Sequence, residues 1–126
     1  MKNTLGFQQL KVVALAVDDL ARAEGFYRDT LGLEPAMEGG QAIGFALGGV
    51  ALMLKPVTEG WYARPSFELN PRLTFAVEHA LQTEKELVAR GVTISDPVRP
   101  YPPENFYIGA FLDSEGNKLW FCSPTA

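Results

Sequence analysis

From position 12 the chain reads Val-Val-Ala-Leu-Ala-Val, an apolar run with β-branched members and the length of one buried strand. Asp18-Asp19 follows, and Asp19 is placed to cap a helix. That helix carries Leu20, Ala23, Tyr27 and Leu31 on one stripe, with Phe26 beside it, because residues three and four apart share a helix face. Gly32 stops it. Past a Gly39-Gly40 turn come two more apolar runs, 42–47 and 50–55, separated by Gly48-Gly49. A double glycine between such runs is a hairpin signal.

The same order then returns. Residues 72–77 (RLTFAV) read as a strand, Glu78-His79 stands in place of the two aspartates, and 81–90 reads as a helix ended by Gly91. Strands at 107–112 and 118–122 form a second hairpin around the polar turn 113–117, while 34–37 and 93–95 are weakly marked third strands. The expectation is one α+β domain over 1–126, built from two βαβββ modules at about 8–56 and 70–124. A linker at 57–69 joins them, and it carries Trp61, Tyr62 and Phe67. Four unrelated hairpins in an α+β domain are the alternative.

Composition narrows the function. A chain of 126 residues with 47% hydrophobic and 21% charged residues has the make-up of a single globular domain. Net charge is −4 with no basic stripe, which argues against nucleic acid as a partner because phosphate neutralisation supplies most of that affinity. The longest apolar run, 12–17, is too short for a bilayer, and the start Met-Lys-Asn-Thr is followed by no secretory apolar segment. A lone cysteine, Cys122, excludes an internal disulfide and suits a reducing compartment. A cytoplasmic protein with no membrane partner is expected.

Three stretches carry a resemblance: VALAVDDL at 13–20, FYRDTLGL at 26–33 and DSEGN at 113–117. Over nearly the whole chain they resemble the vicinal oxygen chelate superfamily, which holds glyoxalase I, extradiol dioxygenases and the fosfomycin- and bleomycin-resistance proteins. The resemblance implies paired modules whose mixed sheets curl into a half-open cup with helices outside, and commonly a homodimer. Members that do chemistry usually hold a divalent metal in the cup, with His or Gln on the first strand of each module and Glu on the last. Those positions here fall on Val12, Met53, Arg72 and Trp120, none a normal ligand for a hard or borderline cation. A one-residue slip brings in Lys11, Val13, Leu52, Leu54, Pro71, Leu73, Leu119 or Phe121, and none of these serves better. No metal or other cofactor is expected.

Strand alternation then divides the faces. With Trp120 facing the cup, so do Val12, Ala14, Ala16, Ala51, Met53, Lys55, Arg72, Thr74, Ala76, Lys118 and Cys122. The complementary set, including Leu15, Leu52, Leu73, Phe75, Leu119 and Phe121, is large and apolar, as a helix-packed face should be. Small, mixed residues leave room for a guest. The candidate ligand-binding residues are therefore Trp120, Met53, Arg72, Trp61, Tyr107, Cys122, Phe106 and Lys118, with no catalytic residue assigned. Trp120 would stack on a flat ring, Met53 would adapt to its shape, and Arg72 would offer a guanidinium fork to an anionic oxygen. Against this stand plainer roles: cations at strand ends that reach solvent, aromatics that fill an interface, and Cys122 as a small buried thiol. Tyr101, Phe106 and Tyr107 would close the mouth of the cup. His79 opens a helix, away from the cup.

The function expected is small-molecule binding: sequestration of a flat, partly aromatic ligand without a metal, in the manner of bleomycin resistance. The alternative is a metal-dependent or metal-free lyase, isomerase or dioxygenase of the superfamily with atypical catalytic residues. A structural or protein-interaction module is the third class.

Overall fold

The structure is a computed structural model and describes residues 5–59, 64–68, 72–102 and 105–126. Trp61, Tyr62 and Glu104 lie outside the described residues. The chain is α+β, with two four-stranded mixed sheets, neither closed on itself. It divides into two units, Met1–Ala63 and Arg64–Ala126.

In the first unit, β1 (Val12–Val17) lies parallel to β4 (Val50–Pro56), and β3 (Gln41–Leu47) and β2 (Pro35–Glu38) continue the sheet antiparallel, in the order β1-β4-β3-β2. Between β1 and β2, α1 (Leu20–Gly25) starts where the Asp19 carboxylate accepts the Arg22 N–H at 3.0 Å. The expected single helix changes pitch: from Phe26 to Thr30 it widens into a π-helical turn. The change falls at Gly25, the weakest helix former of the stretch. The wider turn carries Tyr27, fully buried with its ring 5.9 Å from that of Phe45.

The second unit has the corresponding strand order: β5 (Thr74–Ala76) is parallel to β8 (Lys118–Ser123), and β7 (Tyr107–Leu112) and β6 (Thr93–Pro100) follow antiparallel. The α2 helix (Ala80–Ala89) packs against β6, β7 and β8. His79 occupies its N-cap but makes no side-chain cap. Instead the Ser123 hydroxyl at the end of β8 accepts the Ala80 N–H at 2.8 Å and donates to the Thr125 carbonyl. His79 Nδ1 lies 2.9 Å from the Thr125 hydroxyl. Thus the helix start is tied to the last strand, and Gly91 at φ 80° ends the helix.

The 113–117 turn is a polar knot. Asp113 Oδ1 accepts the N–H groups of Glu115 and Asn117, both at 2.8 Å, and Asn117 Nδ2 donates to Asp113 Oδ2 at 3.1 Å. Asn117, fully buried, also accepts the Ser66 N–H, while Lys118 N–H reaches the Ser66 carbonyl. These bonds fasten the approach to β5 along the rim of this unit.

One strand is longer than expected. β6 runs on to Pro100 despite Pro97, with register shifts between Ile94 and Asp96 and between Asp96 and Arg99. An edge strand tolerates proline, since its outer side needs no ladder donor, and the Val98 N–H goes to Glu84 Oε2 of α2 at 2.7 Å. No helix among the described residues is long and apolar enough to cross a membrane.

Candidate functional site

The pairing of the second unit sets Thr74, Trp120, Ala110 and Asp96 side by side across β5, β8, β7 and β6. Paired residues share a face. One row along come Ala76, Cys122, Ile108 and Arg99. The opposite face holds Phe75, Phe111, Leu119 and Phe121, with Phe111 6.3 Å from Phe75 and 6.1 Å from Phe121. Leu119 and Phe121 are buried. Gly109 lies among them, where a Cβ would meet Phe121 Cζ and Val98 Cγ2 at 2.9 Å each, so a larger residue would force those side chains to shift.

Trp120 sits on the mixed face and is 8% exposed. Ile108 and Ala110 are buried with it, and Tyr101, Phe106 and Cys122 pack against the group. The rings of Tyr101 and Phe106 stack at 5.1 Å and 12°, held by a 2.9 Å bond from the Tyr101 N–H to the Phe106 carbonyl. Two cations lie over the indole. Arg72 Cζ is 4.2 Å from its centroid and Lys118 Nζ is 4.5 Å away. The backbone N–H of Trp120 donates to the Leu73 carbonyl at 2.9 Å, which ties the residue just before β5 to β8.

The cations differ. Lys118 Nζ approaches Asp96 Oδ2 to 2.5 Å. That oxygen is buried and receives no aligned hydrogen bond, so the contact is between charges, and at this distance the carboxylate neutralises the ammonium. Arg72 is exposed and, among the described residues, has no carboxylate partner. Its attraction to the ring quadrupole holds a donor-rich group over an apolar floor.

A family model for the Glyoxalase/Bleomycin resistance protein/Dioxygenase superfamily matches residues 9–121. The chain belongs to that superfamily. Solved structures agree in fold. A lactoylglutathione lyase from Agrobacterium tumefaciens is 24% identical over 94% of this chain and 95% of its own, with a TM-score of 0.70. A superfamily member from Sphaerobacter thermophilus DSM 20745 is 22% identical over 93% of this chain and 98% of its own, with a TM-score of 0.73. A glyoxalase-related enzyme from Fulvimarina pelagi is 21% identical, covers 93% of this chain and 88% of its own, and has a TM-score of 0.71. No curated protein matches the sequence.

A divalent ion of the kind used by the superfamily's enzymes does not fit the donors found. Among the described residues no three of His, Cys, Asp and Glu come together to hold one. Val12, Met53, Arg72 and Trp120 offer an alkyl group, a thioether, a guanidinium and an indole, none a ligand for a hard or borderline cation.

Of the residues expected to bind a ligand, the second unit brings together Trp120, Arg72, Lys118, Phe106 and Cys122. Tyr107 pairs with Ser123, and alternation turns it to the Phe111 face, so it does not line this group. Met53 belongs to the first unit, opposite Ala14 on β4. Lys55, also in that unit, pairs with Glu59 at 3.4 Å. Trp61 lies outside the described residues. The expected open indole is also changed: its ring is covered by cations and neighbours. Sequence reasoning missed Asp96, Ile108 and Ala110. Alternation counted across from Trp120 would have reached the last two, whereas the register shifts beside Asp96 hid its face.

Proposed function

We propose that this superfamily member is a small-molecule-binding protein that sequesters a flat, partly aromatic ligand without a metal, at the Trp120 face of its second unit. The observation that supports this reading is a buried indole roofed by cations and flanked by small residues. Thr74 and Ala76 are exposed beside it, and the stacked Tyr101–Phe106 pair adjoins the same group. Ligand sites are mostly apolar with a few placed polar groups, and a flat guest would lie along β5 with its edge against the indole and the roofing side chains. Trp120→Ala is expected to weaken binding of a flat aromatic dye by about 1–3 kcal/mol, as loss of an aromatic anchor does. Isothermal titration with the folded variant checks this, and unchanged affinity would refute the site.

The second reading is a metal-dependent or metal-free lyase, isomerase or dioxygenase with atypical catalytic residues, favoured by the fold shared with the lactoylglutathione lyase from Agrobacterium tumefaciens. Elemental analysis of the purified protein tests the metal-dependent form. Stoichiometric tightly held Zn, Mn, Fe or Ni would support the enzyme. A homodimer is part of the proposal, and sedimentation tests it.

A further inference from the structure

Resting on the reading of the Trp120 face as a binding site, we infer that its ligand carries an anionic oxygen group, a carboxylate or phosphate, and that Arg72 is the residue that recognises it. The chain as a whole is acidic, with net charge −4, yet this face is not. Arg72 and Lys118 lie over the indole, and Arg99 shares the register position of Ile108 on the edge strand. Against these three cations the strands of the face set, among the described residues, one carboxylate, Asp96, already committed to Lys118. Positive charge concentrated on one face of an acidic protein raises the local concentration of anions.

The two cations over the ring have separate tasks. Lys118 is fastened at 2.5 Å to Asp96, with its side chain 20% exposed, so it closes the indole from one side and its charge is spent internally. Arg72 is exposed and its N–H donors have no carboxylate among the described residues. Guanidinium presents paired parallel donors that match a carboxylate or phosphate edge, a geometry that an ammonium cannot supply. Held 4.2 Å above the indole centroid, the group loses less side-chain freedom on binding than a freely rotating arginine would. An apolar ring would then rest beside the indole with its charged edge on Arg72.

The test uses flat probes of one shape: naphthoate, naphthyl phosphate, neutral methyl naphthoate and a naphthylmethylammonium, each titrated calorimetrically into the full chain at low and high salt. The anions are expected to bind about tenfold or more tightly than the ester, the worth of a charge-assisted bond, and the ammonium least. Arg72→Gln should weaken the anions far more than the ester and so remove most of the preference between them, and Arg72→Lys should recover only part of it. A preference for phosphate over carboxylate, or the reverse, names which group the site takes, and either supports the inference. An anion preference that persists in Arg72→Gln, or equal binding of anion and ester by the unaltered protein, overturns the role of Arg72 and leaves the binding reading standing. Failure of every probe to bind, or ester affinity unmoved by Trp120→Ala, overturns the binding reading itself.

Discussion

Asp96→Asn removes one charge and almost no volume, so it isolates what the carboxylate does for the two cations over the indole. In the folded protein Lys118 Nζ lies 2.5 Å from Asp96 Oδ2, with the side chains 20% and 32% exposed. Lys118 and Arg72 lie 4.5 and 4.2 Å from the same ring centroid, so their charges are at most about 9 Å apart, and at an effective dielectric of ~20 like charges at that range repel by about 2 kcal/mol. That repulsion is present with or without Asp96, so what the variant loses is the attraction of Asp96 that offsets it, held by the partial exposure of the pair to about 1–3 kcal/mol. The variant should therefore be about 1–3 kcal/mol less stable in urea unfolding followed by circular dichroism. Because the screening length falls from about 10 Å at 0.1 M to about 3 Å at 1 M salt, much of that loss should vanish in concentrated salt. A cycle with Lys118→Met should show coupling between the two positions. Wild-type stability at low salt, or a loss indifferent to both salt and Lys118, would refute the claim that Asp96 neutralises the lysine.

Two further variants test the packing that supports the face. Gly109→Ala puts a methyl 2.9 Å from Phe121 Cζ and Val98 Cγ2; with Phe121 only 1% exposed, overpacking should cost about 1–3 kcal/mol in chemical denaturation, and a neutral result would show that the ring yields. Ser123→Ala leaves the Ala80 N–H without the hydroxyl that accepts it at 2.8 Å, and a thermal melt should register a loss of about 1–2 kcal/mol, as for a deleted helix cap.

Much of the fold was legible because its signals are local. The apolar run 12–17, Asp19 before Leu20, the glycines at 32 and 91 and the DSEGN turn each act within a few residues. The strand expected only at 93–95 runs further for a reason that is not local: β6 is an edge strand whose Val98 N–H finds Glu84, fourteen residues back in α2. The widening at Phe26 and the short β5 were equally invisible, since packing decides both.

For the site, period-two alternation alone placed Trp120, Lys118 and Cys122 on one face of their strand, because a strand's geometry leaves no other choice. The sequence likewise determined the mixed character of that face and the lack of metal donors at the four positions named. Tertiary structure decided what meets the indole. Inter-strand register sets Asp96 beside Ala110 and therefore near Lys118, turns Tyr107 to the Phe111 face, and draws Arg72 over the ring. Register is the joint product of turns, bulges and burial across the whole sheet, so two residues far apart in the chain acquire a shared charge balance only once the sheet is assembled.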